Sequence, residues 1–170
     1  MDIVIRTAVP RDYAELGDIT AQAYLDDGLL DDNEDDSYER RLRDVAGRAG
    51  EGEVIVATLD GVLLGGVTFA PPGSPMADVA GPGEAEFRML AVGRAGRGKG
   101  AGEALVRACA ERALAIEGVN RLLLSTRAQS PAAHRIYERL GFVRTPERDW
   151  SPVPTVPLLT YALELRVLDR

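Results

Sequence analysis

Residues 86–102 read EFRMLAVGRAGRGKGAG. A strand-like run ends at Val92, and Gly93, Gly96, Gly98, Gly100 and Gly102 lead straight into a helical pattern. Glycines let a backbone come close to a ligand, and a helix start offers unpaired amide protons at the positive end of its dipole. Phosphate oxygens suit such a place. Arg94, Arg97 and Lys99 add cations there, in a chain whose formal charge is −7. The segment is expected to bind an anion.

Three phosphate-binding patterns compete for it. A G-x-x-x-x-G-K-[ST] loop is matched from Gly93 to Lys99, but Gly100 stands where a magnesium-binding hydroxyl is required. A dinucleotide fingerprint is approximated by Gly96, Gly98 and Ala101. It asks for an acidic residue at the end of the next strand, which instead ends Ser125-Thr126. The third pattern, [QR]-x-x-G-x-[GA], is met by Arg97, Gly98, Lys99, Gly100, Ala101 and Gly102, five residues after the strand end Leu90-Ala91-Val92. Downstream, residues 130–142 read SPAAHRIYERLGF. They fit N-x-x-A-x-x-[LI]-Y-[EK]-[KR]-L-G-F at Ala133, Ile136, Tyr137, Leu140, Gly141 and Phe142, with Ser130 in place of the asparagine. With these two blocks in this order, the sequence resembles the GNAT superfamily of acetyl-CoA-dependent N-acetyltransferases.

The resemblance implies that an amine attacks the thioester of acetyl-CoA, which serves as co-substrate without a metal. Backbone groups of Leu90, Ala91 and Val92 would hold the pantetheine arm as though it were a strand. The pyrophosphate would rest on the amides of Gly98, Lys99, Gly100, Ala101 and Gly102, with the Arg97 and Lys99 side chains nearby, and Glu103 belongs to the same cofactor-binding set. Tyr137 occupies the general-acid position. Glu86, at the matching offset before Leu90-Ala91-Val92, is the candidate base, directly or through water; an ion pair with Arg88 is its other reading. By two-residue alternation Glu86 shares a face with Arg88, Leu90 and Val92. Ser130 is expected either to contact the cofactor arm or to act only as an N-cap. The acceptor is a small-molecule or protein amine, and homodimers are common among relatives. A second reading is an acyl-CoA-binding sensor or interaction module without turnover, which would need neither Glu86 nor Tyr137.

The elements that must carry these residues follow from pattern. Residues 3–7 alternate as a strand, and 10–25 and 37–48 carry helical spacing around an acidic run, 26–36, expected as a solvated loop that could attract a cationic amine. Residues 54–59 and 62–70 flank Asp60-Gly61, a favoured hairpin turn. A proline- and glycine-rich loop precedes the strand 85–92. The helix 101–117, the apolar strand 121–126, the helix 132–140, a strand from 142 and a last strand 158–165 complete the order. From this order the whole chain, 1–170, is expected as one mixed α/β (α+β) domain. The resemblance implies that it is a single N-acetyltransferase domain whose sheet is mostly antiparallel, with helices on both faces and a splay between the fourth and fifth strands.

Composition sets outer limits. The apolar fraction of 45% suits a packed core. Twenty basic against 27 acidic residues argue against general nucleic-acid binding. Cys109 and His134 are the single cysteine and histidine, too few for an internal disulfide or a zinc site. Cys109 reads as core and His134 as surface. Neither a bilayer-spanning run nor a signal peptide is visible, so a cytoplasmic protein without membrane contact is expected.

Overall fold

In the computed structural model, which describes residues 2–30 and 37–165, seven strands form one sheet in the order β1-β2-β3-β4-β5-β7-β6. They are β1 (Val4–Thr7), β2 (Glu53–Leu59), β3 (Val62–Ala70), β4 (Glu84–Val92), β5 (Arg121–Thr126), β6 (Val143–Arg144) and β7 (Leu159–Glu164). All neighbours are antiparallel except β4 and β5. Helices α1 (Tyr13–Asp26), α2 (Ser37–Arg43) and α3 (Val45–Glu51) cover one face. Helices α4 (Ala101–Leu114) and α5 (Pro131–Arg139) cover the other. This is the mixed, mostly antiparallel architecture that the resemblance implies. The acidic residues Asp31, Asp32, Glu34, Asp35 and Asp36 lie outside the described residues. No helix among the described residues is long and apolar enough to cross a membrane.

Local chemistry explains most elements. Asp60 and Gly61 both take positive φ, 52° and 80°, so the hairpin turn matches the twist of β2 and β3. Leu122, Leu123 and Leu124 are all buried, as a strand covered on both faces requires. The helical pattern of 37–48 resolves into two helices. Asp44 breaks it by leaving helical geometry and accepting the Gly47 amide at 3.0 Å as the N-cap of α3. Arg48 then turns inward, 5% exposed, and donates to the carbonyls of Arg41 (2.7 Å) and Leu42 (2.8 Å) and to the Thr68 hydroxyl (3.1 Å). It thereby satisfies the open end of α2 and fastens that helix to β3.

Two departures from regular sheet geometry shape the site. Parallel pairing of β4 with β5 covers only Glu84↔Arg121, Ala85↔Leu122 and Glu86↔Leu123. Beyond Glu86 the strands part, at the splay the sequence resemblance implied. The second departure is a bulge. Thr68 pairs with Arg88 and Gly66 with Ala91, so two β4 residues oppose the single Val67, and Met89 takes a φ of 57°. Uniform alternation through β4 is thus corrected. Glu86 and Arg88 face the α1–α3 side with their partners Ala70 and Thr68, whereas Leu90 and Val92 join Phe87 against α4 and α5.

The paired end of β4 and β5 is held by charge. Glu84, with a side chain 8% exposed, accepts from Arg121 (2.9 Å) and from Arg148 (2.8 and 3.0 Å). Arg148 also donates to the Val79 carbonyl at 2.8 Å, which ties the stretch before β7 to the loop before β4. Hydrogen bonding from Arg148 is the chief cause that lowers the Glu84 carboxyl from 4.5 to about 2. A carboxyl lowered on folding stabilises the native state above its unfolded pKa. That contribution, about 3 kcal/mol at most, is lost as pH falls from about 4.5 through about 2. Glu84→Gln should therefore lower the thermal midpoint at pH 7 and flatten its decline between pH 5 and 2. Scanning calorimetry across that range checks it, and parallel wild-type and variant curves would refute it.

Candidate active site

Where β4 and β5 part, a groove of about 1170 Å³ opens. Its floor is β4 from Phe87 to Val92, and α4 and α5 supply one wall. Past Glu86 the β5-facing edge of β4 has no strand partner, so its amides and carbonyls are available to an extended, amide-rich chain. Leu90, Ala91 and Val92 all line the groove.

One end is built for an anion. Gly98 and Gly100 adopt φ of 75° and 82°, left-handed values that a side chain would strain, and a Cβ on either would meet nothing within 4 Å. Gly100 is the N-cap of α4 and supplies no side-chain cap. Among the described residues, no protein group accepts from the amides of Gly98, Gly100, Ala101, Gly102 and Glu103. Their partial positive charge adds to the helix dipole. Gly102 permits a close fit, since a Cβ there would lie 3.1 Å from Ile136. Arg97 lines the groove and also reaches Asp26 at 3.3 Å. Lys99 does not line it; its Nζ folds back onto the Ala95 carbonyl at 2.8 Å. The Glu103 side chain is held by Arg139 (2.7 Å) and Arg107 (3.3 Å), so its amide is what faces an anion.

Tyr137 lines the groove, 4% exposed, with its ring about 6 Å from those of Phe87, Phe142 and Tyr161. Among the described residues its hydroxyl has no hydrogen-bond partner, and burial pushes its pKa upward. The phenol therefore keeps its proton at neutral pH. Ser130 lines the groove and, contrary to a pure N-cap role, makes no side-chain cap. His134 is not simply surface. It is half-buried, its Nε2 lies 2.9 Å from the Arg127 carbonyl, and its ring packs on Tyr161. Cys109 is fully buried core.

Glu86 sits elsewhere than alternation suggested. It is fully buried and is not among the residues lining the groove. Its Oε1 accepts the amides of Asp78 (2.9 Å), Val79 (2.8 Å) and Ala80 (3.0 Å). Its Oε2 is buried without a partner among the described residues, and desolvation raises its pKa. Arg88 pairs with Asp78 at 3.3 Å in place of Glu86. Both Asp78 and Arg88 line the groove.

The acceptor side of the groove is formed by residues distant in sequence. Tyr24 and Tyr38 stack obliquely, 6.1 Å apart, and Trp150 donates from Nε1 to the Ser125 hydroxyl at 2.9 Å. Nothing in the sequence pattern joins Tyr24, Tyr38 and Trp150 to Asp78 and Arg41, which line the same groove. The only hint for Asp78 was its place in a loop that β4 must follow.

Residues 15–142 match the model of the acetyltransferase (GNAT) family. No curated protein matches the chain significantly in sequence. Solved structures share its fold. The YncA acetyltransferase of Salmonella typhimurium, solved with its cofactor acetyl-CoA, superposes with a TM-score of 0.69 at 24% identity, covering 96% of this chain and 94% of that one. A GNAT-family acetyltransferase of Streptococcus agalactiae gives 0.72 at 17% identity, covering 95% of each chain. The ribosomal-protein-alanine N-acetyltransferase of Brucella melitensis gives 0.64 at 20% identity, covering 95% of this chain and 99% of that one.

Proposed function

From the premise that this chain belongs to the acetyltransferase (GNAT) family, we propose that it moves the acetyl group of acetyl-CoA directly to a primary amine. The observation that carries this reading is the continuity of one groove, from unpartnered amides at the start of α4, along the free edge of β4, to the Tyr137 hydroxyl. Bound there, acetyl-CoA supplies an activated thioester carbonyl. The amides of Gly98, Gly100, Ala101, Gly102 and Glu103, with Arg97, hold the diphosphate. Main-chain groups of Leu90 and Val92 hold the arm, and the Leu90 amide polarises the carbonyl oxygen as charge develops on it. Tyr137 donates its proton toward the departing sulfur.

The amine must lose a proton before it attacks. Glu86 is sealed from the groove, so it acts as a positioning residue: by collecting three amides of the loop it sets Asp78 on the groove wall. The amine's proton leaves to water in the groove. On this reading Glu86→Gln raises the acceptor KM severalfold while the pH profile of kcat/KM keeps its shape. A loss that grows as pH falls would return Glu86 to the proton path.

The activity itself is tested by thiol release from acetyl-CoA over a library of primary amines, with the acetylated product identified by mass. Amine-dependent release supports the proposal. Tight acetyl-CoA binding without release for any amine would instead support a sensor.

A further inference from the structure

The acceptor end of the groove carries more cation than the acidic chain as a whole would suggest. Arg88 lies there with its side chain 16% exposed. Its Nε faces Asp78 Oδ2 at 3.3 Å and its Nη1 reaches the Met76 carbonyl at 3.3 Å, while its Nη2 donates to no described residue. Arg41, exposed on α2, lines the same groove, and its guanidinium makes neither a hydrogen bond nor an ion pair with any described residue. Asp78 is the opposing charge paired with Arg88, 31% exposed and held in place by Glu86, and Asp27 is a second carboxylate lining the groove. Tyr24 connects this group to the reaction centre. Burial raises its hydroxyl pKa, the nearby Tyr38 and Tyr137 phenols add to the rise, and Arg88 opposes it.

Resting on the acetyltransferase reading, we infer that Asp78 and Arg88 form a head-group subsite for a free α-amino acid with an apolar side chain. Asp78 takes the ammonium end and Arg88, backed by Arg41, takes the carboxylate. The spacing supports this choice. A carboxylate and a guanidinium 3.3 Å apart match a ligand whose own opposite charges are equally close, as those of an α-amino acid are. A polyamine would put several cations against two guanidinium groups, a like-charge arrangement that costs affinity. The oblique Tyr24–Tyr38 pair, with Leu29 and Met89, provides an apolar wall for the side chain.

The test compares matched acceptors on the full chain: phenylalanine against phenethylamine, methionine against 3-(methylthio)propylamine, with spermidine as a cation-only acceptor. The expected kcat/KM ratio of amino acid to decarboxylated amine is about 10- to 100-fold, the range for a charged hydrogen-bonding partner. Arg88→Gln should bring that ratio close to one. Asp78→Asn should weaken both members of each pair and preserve the ratio. A better rate with spermidine or with the decarboxylated amines, or a ratio untouched by Arg88→Gln, overturns the subsite. Calorimetric titration of phenylalanine into the CoA-loaded protein separates the two proposals. Binding that Arg88→Gln abolishes, without thiol release from acetyl-CoA, would sustain the subsite and defeat the transferase reading. Absence of binding together with absence of release defeats the subsite.

Discussion

Tyr137→Phe is expected to lower kcat about 100-fold while the dissociation constant of acetyl-CoA changes less than about twofold. The ring stays because it is packed against Phe87, Phe142 and Tyr161, and phenylalanine fills the same space. Only the hydroxyl is removed, and it has no partner among the described residues, so no internal hydrogen bond is lost. What disappears is a proton donor beside the leaving sulfur. A cysteine thiol in water ionises near 8.5 and a phenol near 10, so transfer to a thiolate of that kind in water would run slightly uphill. Burial raises the phenol, and the same low-polarity surroundings raise a thiolate formed beside it, which keeps the two matched. Steady-state kinetics with the best acceptor, paired with calorimetric titration of CoA, makes the comparison. Unchanged kcat would remove Tyr137 from the chemistry. A parallel fall in kcat and cofactor affinity would indicate a disturbed groove.

Gly100→Val is expected to weaken acetyl-CoA binding at least about 30-fold, or roughly 2 kcal/mol. Two effects combine there. The backbone φ of 82° is costly for a β-branched residue, and the new side chain would project into the space that an anion must enter to meet the amides of Ala101 and Gly102. Gly118→Val is the matched control. Its φ is 87°, a Cβ there also meets nothing within 4 Å, and it does not line the groove. Both variants should lose similar stability in urea titrations, and only Gly100→Val should lose affinity. Equal affinity losses would mean that backbone strain, and not blockage of the phosphate cradle, governs binding.

The legible parts of this molecule were those whose requirements are local. A left-handed turn needs glycine at Gly98 and Gly100, a helix N-terminus draws anions, a hairpin prefers Asp60-Gly61, and an amphipathic helix that sets Tyr137 opposite its polar face is spelled out in thirteen consecutive residues, 130–142. The anion loop, the helix bearing Tyr137 and most of the succession of elements along the chain could therefore be read directly. Positions dependent on counting along a strand could not. The extra residue at Met89 inverts the faces of everything after it, so Glu86 and Arg88 separate from Leu90 and Val92, although alternation joins them. Burial of Arg48 depends on carbonyls that α2 leaves open, and the placing of Asp78 depends on a carboxylate eight residues away that gathers its loop. Tyr24, Tyr38, Arg41, Arg88 and Trp150 come together only after α1, α2 and the stretch before β7 have packed around one sheet. Residue order dictates conformations with a single-turn range; long-range packing, which chooses among faces and partners that are locally equivalent, decided what the acceptor meets.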